Sequence, residues 1–140
     1  PHPSRWYHSR LARKRRGRKP KICETWSYGN CGSTGHPEVG TAERPSAQLA
    51  GYLFVGSRKY AEGCTTSPVA YLEEWFVDAD VRRQGVGRAL VAAAEAWARR
   101  AGLQELASDT LIDNEASLAS HLAVGFTEVE RQINFIKKLS

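Results

Sequence analysis

Seven consecutive residues, Arg82-Arg83-Gln84-Gly85-Val86-Gly87-Arg88, have the make-up of an anion cradle. Two glycines let the backbone approach a bulky group, because no Cβ stands in the way. A helix that begins at Val86 aims its first amides and its dipole at the same place. Arg82, Arg83 and Arg88 add formal charge, and pyrophosphate is the anion such a cradle suits. Other phosphate motifs fit poorly. A Walker loop needs a lysine followed by Ser or Thr after its last glycine, where this chain has Arg88-Ala89. A dinucleotide fingerprint needs a third glycine, which Ala89–Val91 lacks.

The surrounding pattern supplies the elements that would position the cradle. Val69–Val77 is apolar nearly throughout, as a central strand is. Asp78–Gln84 is a polar loop. From Val86 to about Ala101, residues Leu90, Val91, Ala94, Trp97, Ala98 and Ala101 share one helical face, and Gly102 stops the helix. Leu49–Ser57 reads as a strand, Tyr60–Pro68 as a polar connection and Leu103–Ser108 as a short strand. Asn114 suits the N-cap of a helix running to about Val124, with Gly125 just beyond it. Val129–Leu139 reads as a last strand. The order β-β-α-β-α-β makes Val69–Val77 and Leu103–Ser108 a parallel pair joined by a right-handed crossover.

Charge divides the chain unevenly. The formal net charge is +5. Residues 1–46 hold ten Lys/Arg against three Asp/Glu, a net of +7, and residues 47–140 hold ten against twelve, a net of −2. The expected organisation is therefore a basic, Gly/Pro-rich segment over 1–46, poorly ordered or frame-shifted, and a folded domain over 47–140. The run Arg10–Lys21 allows nonspecific attachment to nucleic acid. The flanking aromatics Trp6, Tyr7, Trp26 and Tyr28 do not interleave it at a stacking spacing, so nucleic acid is not the expected partner. Residue 1 is Pro, and the chain is expected to be a fragment, a processed product or a reading frame without its start. No apolar run approaches the length of a membrane span, and the expected compartment is the cytoplasm. Cys23, Cys31 and Cys64 form no C-x-x-C pair. Cys23, Cys31 and His36 match no standard zinc spacing, so no metal site is expected.

The pattern Arg-x-x-Gly-x-Gly after a strand resembles the coenzyme A signature of the GNAT acetyltransferase superfamily. The run Gly63–Val77 is similar to the middle of the aminoglycoside 6′-N-acetyltransferases. So are Ala107-Ser108-Asp109-Thr110, Asn114, His121-Leu122-Ala123-Val124-Gly125-Phe126 and Glu128-Val129-Glu130-Arg131. These landmarks span residues 49–140 in the family's order.

The resemblance implies an α/β (α+β) fold of the GNAT acyl-CoA N-acyltransferase type, a central mixed β-sheet flanked by helices. It also implies acetyl-CoA as co-substrate and an aminoglycoside as acceptor. Arg82, Arg83, Gln84, Gly85, Val86, Gly87 and Arg88 then hold the pyrophosphate. Backbone groups of Phe76 and Val77, with Asn114, hold the pantetheine arm. Glu73, Asp109 and Glu130, on three strands meeting near a splay in the sheet, orient the drug's ammonium groups, and Tyr60 lines the same pocket. Glu73 or Asp109 assists removal of the amine's proton. His121 either protonates the departing thiolate or packs on the cofactor.

Residues 1–46 show no such likeness. Family members build one wall of the drug site there. An absent wall would expose the first strand, with dimerisation, aggregation or an impaired drug site as the consequences. Two rival readings are a GNAT enzyme for another amine or a protein, and a non-catalytic remnant with a basic tail.

Overall fold

A computed structural model describes residues 38–140 and the backbone of residues 21–23. Its sheet has five strands in sequence order: β1 (Lys21–Cys23), β2 (Glu38–Glu43), β3 (Leu49–Arg58), β4 (Val69–Val77) and β5 (Leu106–Ser108). Strands β1 to β4 pair antiparallel, and β4 pairs parallel with β5. Helix α1 (Val86–Arg100) makes the crossover between β4 and β5, and α2 (Glu115–Ala123) follows β5. The sheet is therefore mixed, as expected. A cation run such as Arg10–Pro20, and the side chains of Cys23, Cys31 and His36, lie outside the described residues.

One face of the sheet makes the core. Ala42 of β2, Ala50, Leu53 and Val55 of β3, and Leu72 of β4 pack against Val86, Leu90, Val91 and Ala94 of α1. Leu53 and Leu90 are wholly buried, and each such side chain contributes roughly 1.5–3 kcal/mol by leaving water. The opposite face carries a half-exposed aromatic ladder. Tyr52 lies 5.3 Å from Phe54 and 5.7 Å from Phe76 between ring centroids. Gly51 is fixed by crowding, since a Cβ there would stand 2.6 Å from the Phe76 carbonyl oxygen.

Three sequence expectations change. Residues 38–43 form a strand paired along β3, so the division expected at residue 46 falls in the turn between two strands of one sheet. Its pattern, Glu38-Val39-Gly40-Thr41-Ala42-Glu43, is short and carries small residues, which hides it from a hydrophobic scan. Arg44 then reaches across to Asp78 and Asp80, at 2.9 and 2.7 Å, and ties this turn to the loop after β4. The last strand of the expected set, Val129–Leu139, is not a strand. It makes no ladder with any described residue, and Ile133, Phe135, Ile136 and Leu139 are exposed. Alternating apolar residues give a segment strand character, but only a partner edge makes it a strand. Strand β5 is likewise shorter than Leu103–Ser108.

Candidate functional site

The site begins at an irregularity in β4. Phe54 pairs with Glu74 and Val55 with Leu72, which leaves Glu73 as the extra residue of a β-bulge. The parallel ladder to β5 ends at the same point, with Leu72 opposite Ser108. Beyond it, among the described residues, β4 has β3 on one side and an open edge on the other. The Asp78 amide donates to the Ala50 carbonyl at 2.9 Å. Alternation along the strand puts the polar groups of Phe76 on the β3 side and those of Val77 on the open edge. Of the two residues the sequence nominates for an extended ligand arm, Val77 is the one presented to it. Its carbonyl also accepts from Arg82 Nε at 2.9 Å.

This open edge leads to the cradle. Gly85 has φ +87°, caps α1 without any side-chain hydrogen bond, and has empty space where a Cβ would stand. The first helical bond runs from the Ala89 amide to the Gly85 carbonyl, at 3.0 Å, so the amides of Val86, Gly87 and Arg88 face outward. Gln84 Nε2 donates to the Asp80 carbonyl at 3.0 Å. Arg88 Nη2 donates to the Ala123 carbonyl at 2.6 Å, a cation at the C-terminal end of α2. Arg82, Gln84 and Arg88 thus brace the loop, while exposed Arg83, at φ +59°, takes no part in that bracing. Gly87 has a different task. A Cβ there would stand 2.7 Å from Cζ2 of Trp75, whose indole N–H is buried and has no partner among the described residues. Uncapped amides, open space at Gly85 and a ring of arginines fit the diphosphate of acetyl-CoA.

At the bulge, two of the three nominated carboxylates come together around Tyr71. The Tyr71 hydroxyl donates to Asp109 Oδ1 at 2.6 Å. Burial, and then the bond to Asp109, hold the Tyr71 phenol far above its ordinary range, so it stays a neutral donor. Arg58, the last residue of β3, lays its guanidinium 3.4 Å from the centroid of the Tyr71 ring. The same guanidinium holds both oxygens of Glu73, with Nε to Oε1 at 2.9 Å and Nη2 to Oε2. Its bond to Glu73 raises the already high Arg58 pKa further. Tyr60 is largely exposed just beyond β3. Glu130 is exposed on the C-terminal segment, on no strand, and no hydrogen bond or ion pair joins it to this cluster. The expected convergence of three strands therefore reduces to Glu73 on β4 and Asp109 at the end of β5.

His121 on α2 packs edge-on between Trp75, at 5.5 Å, and Phe126, at 5.2 Å. Its Nδ1 lies 2.8 Å from the Ser117 carbonyl, which can only accept, so a neutral His121 carries its proton on Nδ1. Its Nε2 then accepts from Ser108 Oγ at 2.9 Å, and that hydroxyl also lies 3.2 Å from the Leu72 carbonyl. Asn114 caps α2 through Oδ1, which accepts from the Ser117 amide at 3.0 Å. Sequence reasoning passed over Arg58, Tyr71, Trp75 and Ser108. Tyr71 and Trp75 sit in an apolar strand and read as core. Arg58 is linked to Glu73 only by the β3–β4 register.

The sequence profile of the acetyltransferase (GNAT) family matches residues 12–126. An aminoglycoside N(6′)-acetyltransferase type 1 of Klebsiella aerogenes is 44% identical over 130 residues, covering 84% of this chain and 86% of that protein. Both matches reach upstream of residue 47, so the likeness is not confined to residues 49–140. The chain spans about half the length of several other curated relatives of that name, at 50% for the one from Stenotrophomonas maltophilia. Among solved structures, the aminoglycoside 6′-N-acetyltransferase AAC(6′)-Ih of Acinetobacter baumannii superposes with a TM-score of 0.71 at 39% identity, over 75% of this chain and 72% of that one. AAC(6′)-Iy bound to the bisubstrate analogue CoA-S-monomethyl-acetylneamine gives 0.70 at 36% identity, over 74% and 71%.

Proposed function

The chain belongs to the acetyltransferase (GNAT) family, and we propose that it moves the acetyl group of acetyl-CoA onto the 6′-amino group of an aminoglycoside. The observation that carries the acceptor is the Asp109–Tyr71–Glu73 cluster beside the open edge of β4. Carboxylates around an aromatic ring suit ammonium groups. The open edge continues from that cluster to the cradle, so donor and acceptor share one groove.

The roles follow from which atoms are free. Arg83, Arg82, Arg88 and the first amides of α1 bind the diphosphate, with Gly85 leaving room for it. The open side of Val77 receives the pantetheine arm, and Asn114, through its uncommitted amide nitrogen, adds to that binding. An ammonium group must lose a proton before its nitrogen attacks the thioester carbonyl. Both Glu73 oxygens are engaged by Arg58, whereas Asp109 commits one oxygen to Tyr71. We therefore assign proton acceptance to Asp109 and cation orientation to Glu73, with Tyr60 and Glu130 contacting outlying parts of the drug. For His121 to return a proton to the departing thiolate by way of Ser108, its ring must carry a proton on both nitrogens: the Nε2 proton passes to Ser108 Oγ as the Ser108 hydroxyl proton passes to the thiolate.

A homodimer is part of this proposal. Val129, Ile133, Phe135, Ile136 and Leu139 are each at least 64% exposed, an apolar stretch that a second copy would cover. Light scattering that gives a monomer at all concentrations would remove it. The enzyme is placed in the cytoplasm, which suits the free thiol of Cys64. Among the described residues no helix is long and apolar enough to cross a membrane.

The test is thiol release from acetyl-CoA with kanamycin and tobramycin, set against a panel of peptide amines. Turnover with the drugs and loss of it in Asp109→Asn, with acetyl-CoA binding intact, is the expected result. Turnover with peptides alone would replace the acceptor. A basic remnant without activity would instead bind DNA in a salt-sensitive way and release no thiol.

A further inference from the structure

The acidic cluster already contains a cation. Arg58 rests on the face of Tyr71 and chelates Glu73, while Asp109 approaches the same ring through the Tyr71 hydroxyl. Asp109 also contributes to the field that stabilises the guanidinium. An aromatic face with a carboxylate on either side is a site for an alkylammonium. Here the protein fills it from its own β3. The Arg58 side chain is 45% exposed and Glu73 35%, and exposed ion pairs of this kind are weak and easily exchanged. Arg58 is the last residue of its strand, and its partly exposed side chain borders solvent on the side from which an acceptor would come.

We propose that Arg58 is a resident cation that occupies the acceptor's ammonium position and must be displaced on binding. This rests on the aminoglycoside reading and extends it. An amine with one ammonium group exchanges one cation for another at Glu73 and gains little. A polyamine that also reaches Asp109 gains a second charged contact without a second displacement. The displacement cost is the same for either amine, so the preference for a polyamine comes from the added contact with Asp109.

The variants are Arg58→Gln, which removes the charge, and Arg58→Lys, which keeps it. The quantities are KM for kanamycin and for glucosamine, a monoamine, and KM for acetyl-CoA as reference. If Arg58 occupies the position in nine molecules of ten, its removal lowers the acceptor's apparent constant by roughly tenfold. Arg58→Gln is expected to show that drop to the same degree for both amines, with an unchanged KM for acetyl-CoA. Arg58→Lys is expected to lie between it and the unmutated chain. Glu73→Gln should also cost more acceptor affinity on the Arg58→Gln background than alone, because Glu73 is then free of its internal partner. An unchanged or raised KM for kanamycin in Arg58→Gln overturns the proposal and makes Arg58 a support for Glu73 or a drug contact. If the unmutated chain acetylates only other amines, the aminoglycoside reading falls by itself, and Arg58 is judged by the same shift in the KM of those amines.

Discussion

Glu105 and Thr66 hold two loops together at one end of the sheet. The Glu105 carboxylate accepts from the Thr66 amide at 2.7 Å and from its hydroxyl, and also from the Thr65 amide at 2.9 Å. Glu105 precedes β5, and Thr65 and Thr66 precede β4, so one side chain fixes the parallel pair at its start. These bonds, the Thr66 hydroxyl first, hold the Glu105 pKa below the usual carboxylate range.

A lowered folded-state pKa means that the clamp is fully present above the ordinary carboxylate pKa. It is lost as pH falls through the lower, folded value. Protection of the Thr65 and Thr66 amides, the exchange rate taken relative to its intrinsic value at each pH, should therefore fall at acid pH below that range, while protection across β3 holds. Glu105→Gln should give the fast exchange already at neutral pH. Protection that is the same in the variant would show that the threonines are held by something else.

At the cradle, Gly85→Asp places a negative side chain where the diphosphate is proposed to bind. Space around residue 85 is open, so the fold tolerates it apart from about 1 kcal/mol for a positive φ. Coenzyme A affinity should fall at least about tenfold, or about 1.4 kcal/mol, in calorimetry. Gly85→Ala is the control, with the same backbone cost and no charge. Unchanged affinity in a folded Gly85→Asp protein would falsify the cradle.

Gly87→Ala tests packing rather than charge. The new methyl would lie 2.7 Å from the Trp75 ring, which is hemmed in by His121 and cannot simply turn away. Overpacking of this kind costs about 1–3 kcal/mol, against at most about 1 kcal/mol gained from helix propensity. The expected net effect in a urea melt is a loss of roughly 1–2 kcal/mol. A stabilised variant would mean that Trp75 has room to shift.

His121→Phe keeps a ring between Trp75 and Phe126 and removes both ring nitrogens. If His121 supplies a proton through Ser108, kcat should drop by roughly a hundredfold, within the range for general acid catalysis, with both KM values holding. A kcat within twofold of the unmutated chain would leave His121 a packing residue.

The cradle was legible because its chemistry is local. Strand, glycines, arginines and helix are contiguous in sequence, and Val69–Val77, the start of α1 and the Asn114 cap all fall where the pattern puts them. The acceptor end was only partly legible, because it depends on register. That Glu73 is a bulge residue, or that Arg58 faces it, follows from a one-residue slip between β3 and β4 that no periodicity announces. Val129–Leu139 misled for the opposite reason. Its alternation describes what the segment could pair with, and no described strand pairs with it.

Trp75 gives the protein a built-in optical probe. Its indole lies against the first turn of α1, and its N–H has no acceptor among the described residues. An indole that gains an acceptor, or whose surroundings gain charge, changes the colour and yield of its emission. Trp75 is one of four tryptophans. With Trp6, Trp26 and Trp97 changed to phenylalanine, the remaining fluorescence would come from a single ring, wedged between the cradle and His121. Arrival of an acyl donor could then be followed in a stopped-flow instrument without a label, and its rate separated from that of the chemistry that follows.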